Sequence, residues 1–157
     1  MATKSQIAIT SFNPEYTKAF YDFNIDWLET YFYVEDFDRE VLSKPQEYIL
    51  EPGGHIFFAV ENDQPIGTVA LLKRGDNAFE LTKMAVQREQ RGKKIGQKLM
   101  QHCIDFAKEN QFEQLYLYSN TLLENAIYIY RKFGFEEVEV EANSPYKRSN
   151  IKMVYPL

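Results

Sequence analysis

Three apolar segments follow one another in this chain: HIFFAVE, PIGTVALLK and AFELTKMAV. Only Asn62-Asp63 and Arg74-Gly75-Asp76-Asn77 separate them. Each has the length and composition of a strand, and Asn, Asp and Gly tolerate the backbone of tight hairpin turns, so the run predicts a three-stranded antiparallel meander. A meander has one apolar face at least, and the rest of the chain must cover it. In the third segment the apolar series changes phase, from Phe79 and Leu81 to Met84 and Val86. A bulge near Lys83 accounts for the shift, as does a central strand covered on both faces.

The flanks supply the cover. QIAITSF reads as a short first strand, and Asn13-Pro14 as a helix start with proline at the first helical position. EYTKAFYDFNIDWLETYF then places Phe20, Phe23, Trp27 and either Leu28 or Tyr31 at helical spacing. A shorter helical stretch around DFDREVL follows, then KPQEYIL, which Pro52-Gly53-Gly54 ends. After the meander, Ile95, Leu99, Cys103 and Phe106 or Ala107 recur at i, i+4 and predict an amphipathic helix over 93–109. FEQLYLYS reads as a strand, TLLENAIYIYRKF as a helix, GFEEVEVEA as an alternating strand and NIKMVYPL as the last strand. With no repeat or linker, residues 1–157 are expected to form one mixed α+β domain.

Charge narrows the function. The 18 Lys plus Arg against 23 Asp plus Glu leave a net charge of −5, which argues against a broad basic face for nucleic acid. Cys103 is the single cysteine; it excludes an internal disulfide and, on its apolar stripe, reads as a buried core thiol. The N-terminus MATKSQIAIT has no apolar leader, and no stretch approaches the roughly 20 apolar residues that cross a bilayer, so a cytoplasmic protein without membrane contact is expected. His55 and His102 match no metal spacing, and no metal is expected.

Within this acidic chain, residues 88–98 (REQRGKKIGQK) hold five positive charges and one negative, leaving −9 for the remainder. The cluster falls where a strand gives way to a helix, whose aligned peptide dipoles already place about half a positive charge there. No Ser, Thr, Asp or Asn stands at the cap position, and Gly96 in the first turn costs on the order of 1 kcal/mol of helix propensity. Local rules broken together mark function overriding stability. A bound phosphate would repair them: it accepts free N–H groups, complements the dipole and the cations, and uses the missing glycine Cβ. The other reading is a strained surface loop. Neither the triphosphate-loop pattern nor the dinucleotide glycine pattern is present, so another phosphate carrier is needed.

Two motifs make the chain resemble the GNAT superfamily of acyl-CoA-dependent N-acetyltransferases. Arg91-Gly92-Lys93-Lys94-Ile95-Gly96 matches the signature Arg/Gln-x-x-Gly-x-Gly/Ala at Arg91 and Gly96, with Lys94 where a glycine usually stands. The second motif, A-x-x-x-Y-x-K-x-G-F, is matched in full by Ala126, Tyr130, Lys132, Gly134 and Phe135; Leu123 replaces the usual asparagine before it, with Asn120 and Asn125 nearby. The resemblance covers essentially the whole chain. It implies a three-layer α/β/α fold, with a mixed, mostly antiparallel sheet of about seven strands splayed between the fourth and fifth, and about four helices. It also implies acetyl-CoA as co-substrate, with the pyrophosphate held at Arg91, Gly92, Lys93, Lys94, Ile95, Gly96 and Gln97. Backbone groups of Met84, Ala85 and Val86 then serve the pantetheine arm and the acetyl oxygen.

Acetyl transfer from a thioester to an amine needs a neutral amine, a stabilised oxyanion and a proton for the departing thiolate. By the resemblance, Glu80 is the base and Tyr130 the acid. Glu80 otherwise reads as a solvated strand-end charge, and Tyr130 as a packed helix residue beside Tyr128. Asn120 reads either as a cofactor ligand or as a turn residue. The acceptor site falls to the N-terminal helices, where Trp27, Tyr31, Phe32 and Tyr33 accompany Glu29, Glu35, Asp36 and Asp38. Rings with carboxylates suit a cationic amine; the plainer reading makes the rings core and the acids surface. The expected activity is acetylation of a primary amine of a small molecule or peptide by direct attack in a ternary complex, the alternative being an acyl-CoA-binding regulatory module. The final strands of the family commonly meet in homodimers.

Overall fold

The computed structural model describes residues 6–157, so the first part of the N-terminal reading, MATKS, lies outside the described residues. Strand β1 (Ile7–Ser11) leads to a single 3-10 turn at Pro14–Tyr16, where the Asn13 side chain accepts the Glu15 N–H at 2.9 Å. Helix α1 (Thr17–Tyr31) and helix α2 (Asp36–Ser43) follow, and the Glu35 N–H donates to the Asp38 carboxylate at 2.9 Å to start α2. KPQEYIL is helical as expected, but as one wide turn over Gln46–Leu50.

The meander is β2 (His55–Glu61), β3 (Gln64–Gly75) and β4 (Ala78–Val86). Asn62 and Asp63 both take positive φ, 51° and 62°, as a two-residue hairpin turn requires. Then come α3 (Ile95–Glu109), β5 (Gln114–Ser119), α4 (Glu124–Phe133), β6 (Glu136–Val138) and β7 (Ile151–Tyr155). The seven strands form one sheet in the order β1-β2-β3-β4-β5-β7-β6, antiparallel except for the pair β4–β5.

Both faces of the sheet centre are apolar, which makes three layers. Phe57, Val69, Leu71 and Leu81 face α3 and its Leu99, Cys103 and Ala107. Ile56, Phe58, Ala70 and Leu72 face the other way, against Phe20 and Leu28 of α1 and Val41 and Leu42 of α2. Strict alternation sends neighbouring side chains to opposite layers. Phe58 is completely buried among Phe12, Tyr16 and Phe20, and truncating such a ring costs about 3–5 kcal/mol.

The phase shift in AFELTKMAV is a bulge. Thr68 opposes Ala85 and Ala70 opposes Thr82, so Val69 alone on β3 faces both Lys83 and Met84 on β4. Lys83 takes the left-handed conformation, φ 54°. The strand is also covered on both faces upstream, so both physical readings of the pattern apply to it.

Candidate active site

Strands β4 and β5 pair only through Ala78–Glu80 against Gln114–Tyr116. Beyond Glu80 the bulge turns β4 away, and a cleft of about 140 Å³ opens between Thr82–Met84 on one side and Leu117–Asn120 on the other. Trp27, Leu28 and Phe32 of the α1 end wall it, and Tyr130 of α4 closes the far side. Ala85 and Val86 remain paired to Thr68 and Gly67 of β3, which leaves their other backbone edge on the splayed side.

Glu80 sits at the root of this gap, 1% exposed. Its Oε1 accepts from Arg74 Nε at 3.0 Å and its Oε2 from the Tyr146 hydroxyl at 2.8 Å; Arg74 also donates to the Tyr146 oxygen at 3.1 Å. A buried carboxylate needs such partners, so the plain reading of Glu80 as a solvated charge is set aside. Burial and the Glu80 charge push the Tyr146 phenol up, so it stays a proton donor.

Tyr130 is positioned by the end of its own helix. Gly134 takes φ 110° and stops α4, the Phe135 N–H donates back to Tyr130 O at 3.0 Å, and the buried Phe135 ring packs at 6.2 Å from the Tyr130 ring. The A-x-x-x-Y-x-K-x-G-F spacing is therefore a C-cap that fixes a phenol. Burial pushes Tyr130 up, against a hydrogen bond from Ser119. Asn120 lines the cleft, yet its amide is engaged: Nδ2 donates to Arg148 O at 2.8 Å and Oδ1 accepts from Leu122 N at 2.8 Å. It ties a turn to the β6–β7 segment.

At the helix start, α3 begins at Ile95, because Lys94 holds φ 63°, the conformation for which glycine is the usual residue, and no side chain caps the helix. The Lys94 side chain is exposed, as is Lys93, which donates to Gln90 at 2.9 Å. A Cβ on Gly96 would stand 3.4 Å from Met84 Sδ, so the first turn lies directly against the bulge. Arg91 is committed elsewhere: it donates to Val86 O at 3.1 Å and to Asp26 of α1 at 3.0 Å. Arg88 shares Asp26 at 2.6 Å and, by hydrogen bond and charge, draws its carboxyl below the usual range. The arginines fasten the loop, and the helix start beside Gly92, Lys93, Lys94 and Gln97 has no side-chain cap.

Of the acids on the N-terminal helices, Asp38 alone lines the cleft; of the rings, Trp27 and Phe32 do, while Tyr31 and Tyr33 are half exposed. Asp38 is gripped by Arg148 at 2.7 and 2.9 Å. Burial raises the Asp38 carboxyl, but Arg148 and the Glu35 N–H outweigh it and hold it below its usual range. Arg74, Lys83, Tyr146 and Arg148 were not foreseen as site residues. Arg74 read as a turn, and EANSPYKRSN carries no period; the phase shift at Lys83 was the one available signal. Among the described residues no three His, Cys, Asp or Glu cluster as metal ligands would.

Residues 17–135 match the sequence model of the acetyltransferase (GNAT) family. The N-acetylaspartate synthetase of Xenopus tropicalis is 33% identical over 98 residues, 60% of this chain and 35% of that protein. A probable N-acetyltransferase camello of Xenopus laevis is 29% identical over 114 residues, 71% of this chain and 52% of that protein. The chain thus spans about a third to a half of the length of these curated relatives. Among solved structures, a GNAT-family acetyltransferase from Staphylococcus aureus Mu50 superposes with a TM-score of 0.83 at 25% identity, over 96% of this chain and 98% of that one. The PaiA N-acetyltransferase of Thermoplasma acidophilum, solved in complex with coenzyme A, shares the fold with a TM-score of 0.75 at 20% identity, covering 97% and 99%. From the splayed sheet, the capped tyrosine and the family match together, the chain belongs to the GNAT family of acetyltransferases.

Proposed function

We propose that this protein transfers an acetyl group from acetyl-CoA to a primary amine of a small molecule or peptide, both substrates being bound together. The observation that carries the reading is the bulge at Lys83 and Met84, which opens the sheet where Glu80 and Tyr130 share one cleft. Acetyl-CoA fits the residues present: α3 starts without a side-chain cap and packs through Gly96 on the bulge, so an anion and its arm have adjoining places. Backbone N–H groups from Gly92 to Gln97, with Lys93 and Lys94, would hold the pyrophosphate, and Arg91 would keep the loop in place through Asp26. Met84, Ala85 and Val86 would line the arm and orient the acetyl oxygen.

When bound, the thioester supplies an activated acetyl carbon. Glu80, kept in place by Arg74 and Tyr146, takes the proton of the incoming amine at its carboxylate, directly or through the Tyr146 hydroxyl. Tyr130 holds its proton at Oη well above neutral pH and releases it to the departing sulfur. Trp27, Leu28 and Phe32 exclude water from the acceptor side.

Calorimetric titration with acetyl-CoA, then thiol release over polyamines, aminoglycosides, amino acids and peptides, tests this. Binding at micromolar concentration with turnover of at least one amine is expected. Absence of binding would sink the proposal. Because both Glu80 oxygens are engaged, a binding module without turnover is the second reading, and binding with no turnover on any amine would select it. We also propose that the protein is cytoplasmic and forms a homodimer; sedimentation checks the dimer.

A further inference from the structure

Of the charged side chains that line the cleft, one has no counter-ion bonded to it among the described residues. Asp38, Arg148, Glu80 and Lys83 line it, and Arg74 reaches Glu80 from beside it. Each carboxylate has its own guanidinium: Asp38 a two-pronged Arg148, Glu80 the Nε of Arg74. Lys83 has no hydrogen bond or ion pair among the described residues, although its ammonium lies within electrostatic reach of all four groups. Three cations therefore surround two anions, and the surplus charge is Lys83.

Backbone geometry puts it there. In an even strand, Glu80 and Lys83 would point to opposite faces. The extra residue of the bulge reverses the phase, so both line one cleft. The left-handed φ of 54° at a non-glycine residue costs about 1–2 kcal/mol, a strain that packing alone does not need a lysine to bear. Burial also pushes the Lys83 ammonium below its ordinary range, outweighing the Glu80 and Asp38 charges that raise it, so a further carboxylate beside it would favour its charged form.

We propose that Lys83 pairs with a carboxylate on the acceptor, so that the amine substrate is an amino acid or a related small molecule carrying amine and carboxylate together. This rests on the transferase reading above. The amine goes to Glu80 and the acid to Lys83, three positions along one strand, which limits the two groups to one short molecule. A polyamine meets the opposite field: the cleft's acids are already matched, and a second ammonium would approach Lys83, Arg74 and Arg148. The acidic residues of the N-terminal helices thus do not make this a site for dications.

The test uses matched pairs: L-α-amino acids, β-alanine and 4-aminobutyrate against their amides, with spermidine and cadaverine as amines without a carboxylate. Turnover with acetyl-CoA is measured, and so is equilibrium binding of the same pairs to the protein alone. At least one acid is expected to exceed its amide by 10-fold or more in kcat/KM and in affinity. Lys83→Met should bring that ratio to about 1 and Lys83→Arg should keep it. Lys83→Asn, which suits the left-handed backbone, repeats the loss in a variant relieved of strain. Amides or polyamines bound and acetylated as well as the acids overturn the inference while leaving the transferase reading intact. A Lys83-dependent preference in binding with no turnover of any amine upholds the inference and overturns transfer. A panel in which nothing binds or reacts, or a ratio unmoved by Lys83→Met, overturns it.

Discussion

Tyr130 and Lys94 put opposite demands on single residues. Removing only the Tyr130 hydroxyl (Tyr130→Phe) leaves the ring against Phe135, so stability should hold while kcat falls about 100-fold at unchanged acetyl-CoA affinity. Steady-state kinetics beside calorimetry would show it, and an equal loss of affinity would assign Tyr130 to binding instead. Lys94 bears a backbone conformation that glycine adopts freely. Lys94→Gly should therefore raise stability by about 0.5–1 kcal/mol, or roughly 1–4 °C in Tm, once glycine's extra chain entropy is set against the relieved strain. Glu80→Gln keeps the shape but leaves Arg74 facing a neutral amide; it should lower both kcat and the thermal midpoint without weakening acetyl-CoA binding. Tyr130 and Lys94 could be singled out in the sequence because each sits in a spaced motif, and Glu80 through the family resemblance of the strand that holds it. Arg74 and Tyr146 could not, since the contacts of Tyr146 with Glu80 and Arg74, 66 and 72 positions away, leave no periodic trace.

At the level of elements, β2 meets α3 through His55, whose ring lies 4.7 Å from Phe106 and 5.9 Å from Phe79. Burial pushes this imidazole below its ordinary value near 6.5, so the unfolded chain takes up the proton first. Stability should be level above about pH 6.5 and decline as pH falls below it; His55→Leu should flatten that limb in urea midpoints taken at pH 7.5 and 5.5. Helices and strands with two-sided burial were readable, and their ends were less so. α4 starts at Glu124 because Asn120 folds residues 120–123 into a turn, with Leu123 N donating to Asn120 O at 3.0 Å. GFEEVEVEA alternates along its length, yet only Glu136–Val138 pairs, and those three residues are exposed at the sheet edge. Alternation needs a core to act on.

Across the whole molecule, Asp38 and Arg148 join α2 to the segment between β6 and β7, 110 residues away. Arg148→Met strands a partly buried carboxylate and should cost about 2 kcal/mol, less than a fully enclosed pair because Arg148 keeps some solvent. The folded Asp38 carboxyl lies below its unfolded value, so the pair's contribution is present above about pH 4 and fades as pH falls further; the double variant with Asp38→Asn should lose less than the two single changes added. Denaturant titrations of the four proteins would measure this. The order of elements and the splay were open to sequence reasoning through the meander and two motifs; the closure of the cleft was not, because Tyr146 and Arg148 of EANSPYKRSN reach it through partners far along the chain. The sheet order holds one more consequence. β7 lies between β5 and β6, so the last strand in the sequence enters the interior of the sheet, and Tyr146 and Arg148 come with it. Such long-range pairing forms slowly. The wall of the cleft that carries Tyr146 and Arg148 therefore depends on β7 being paired with both of its neighbours.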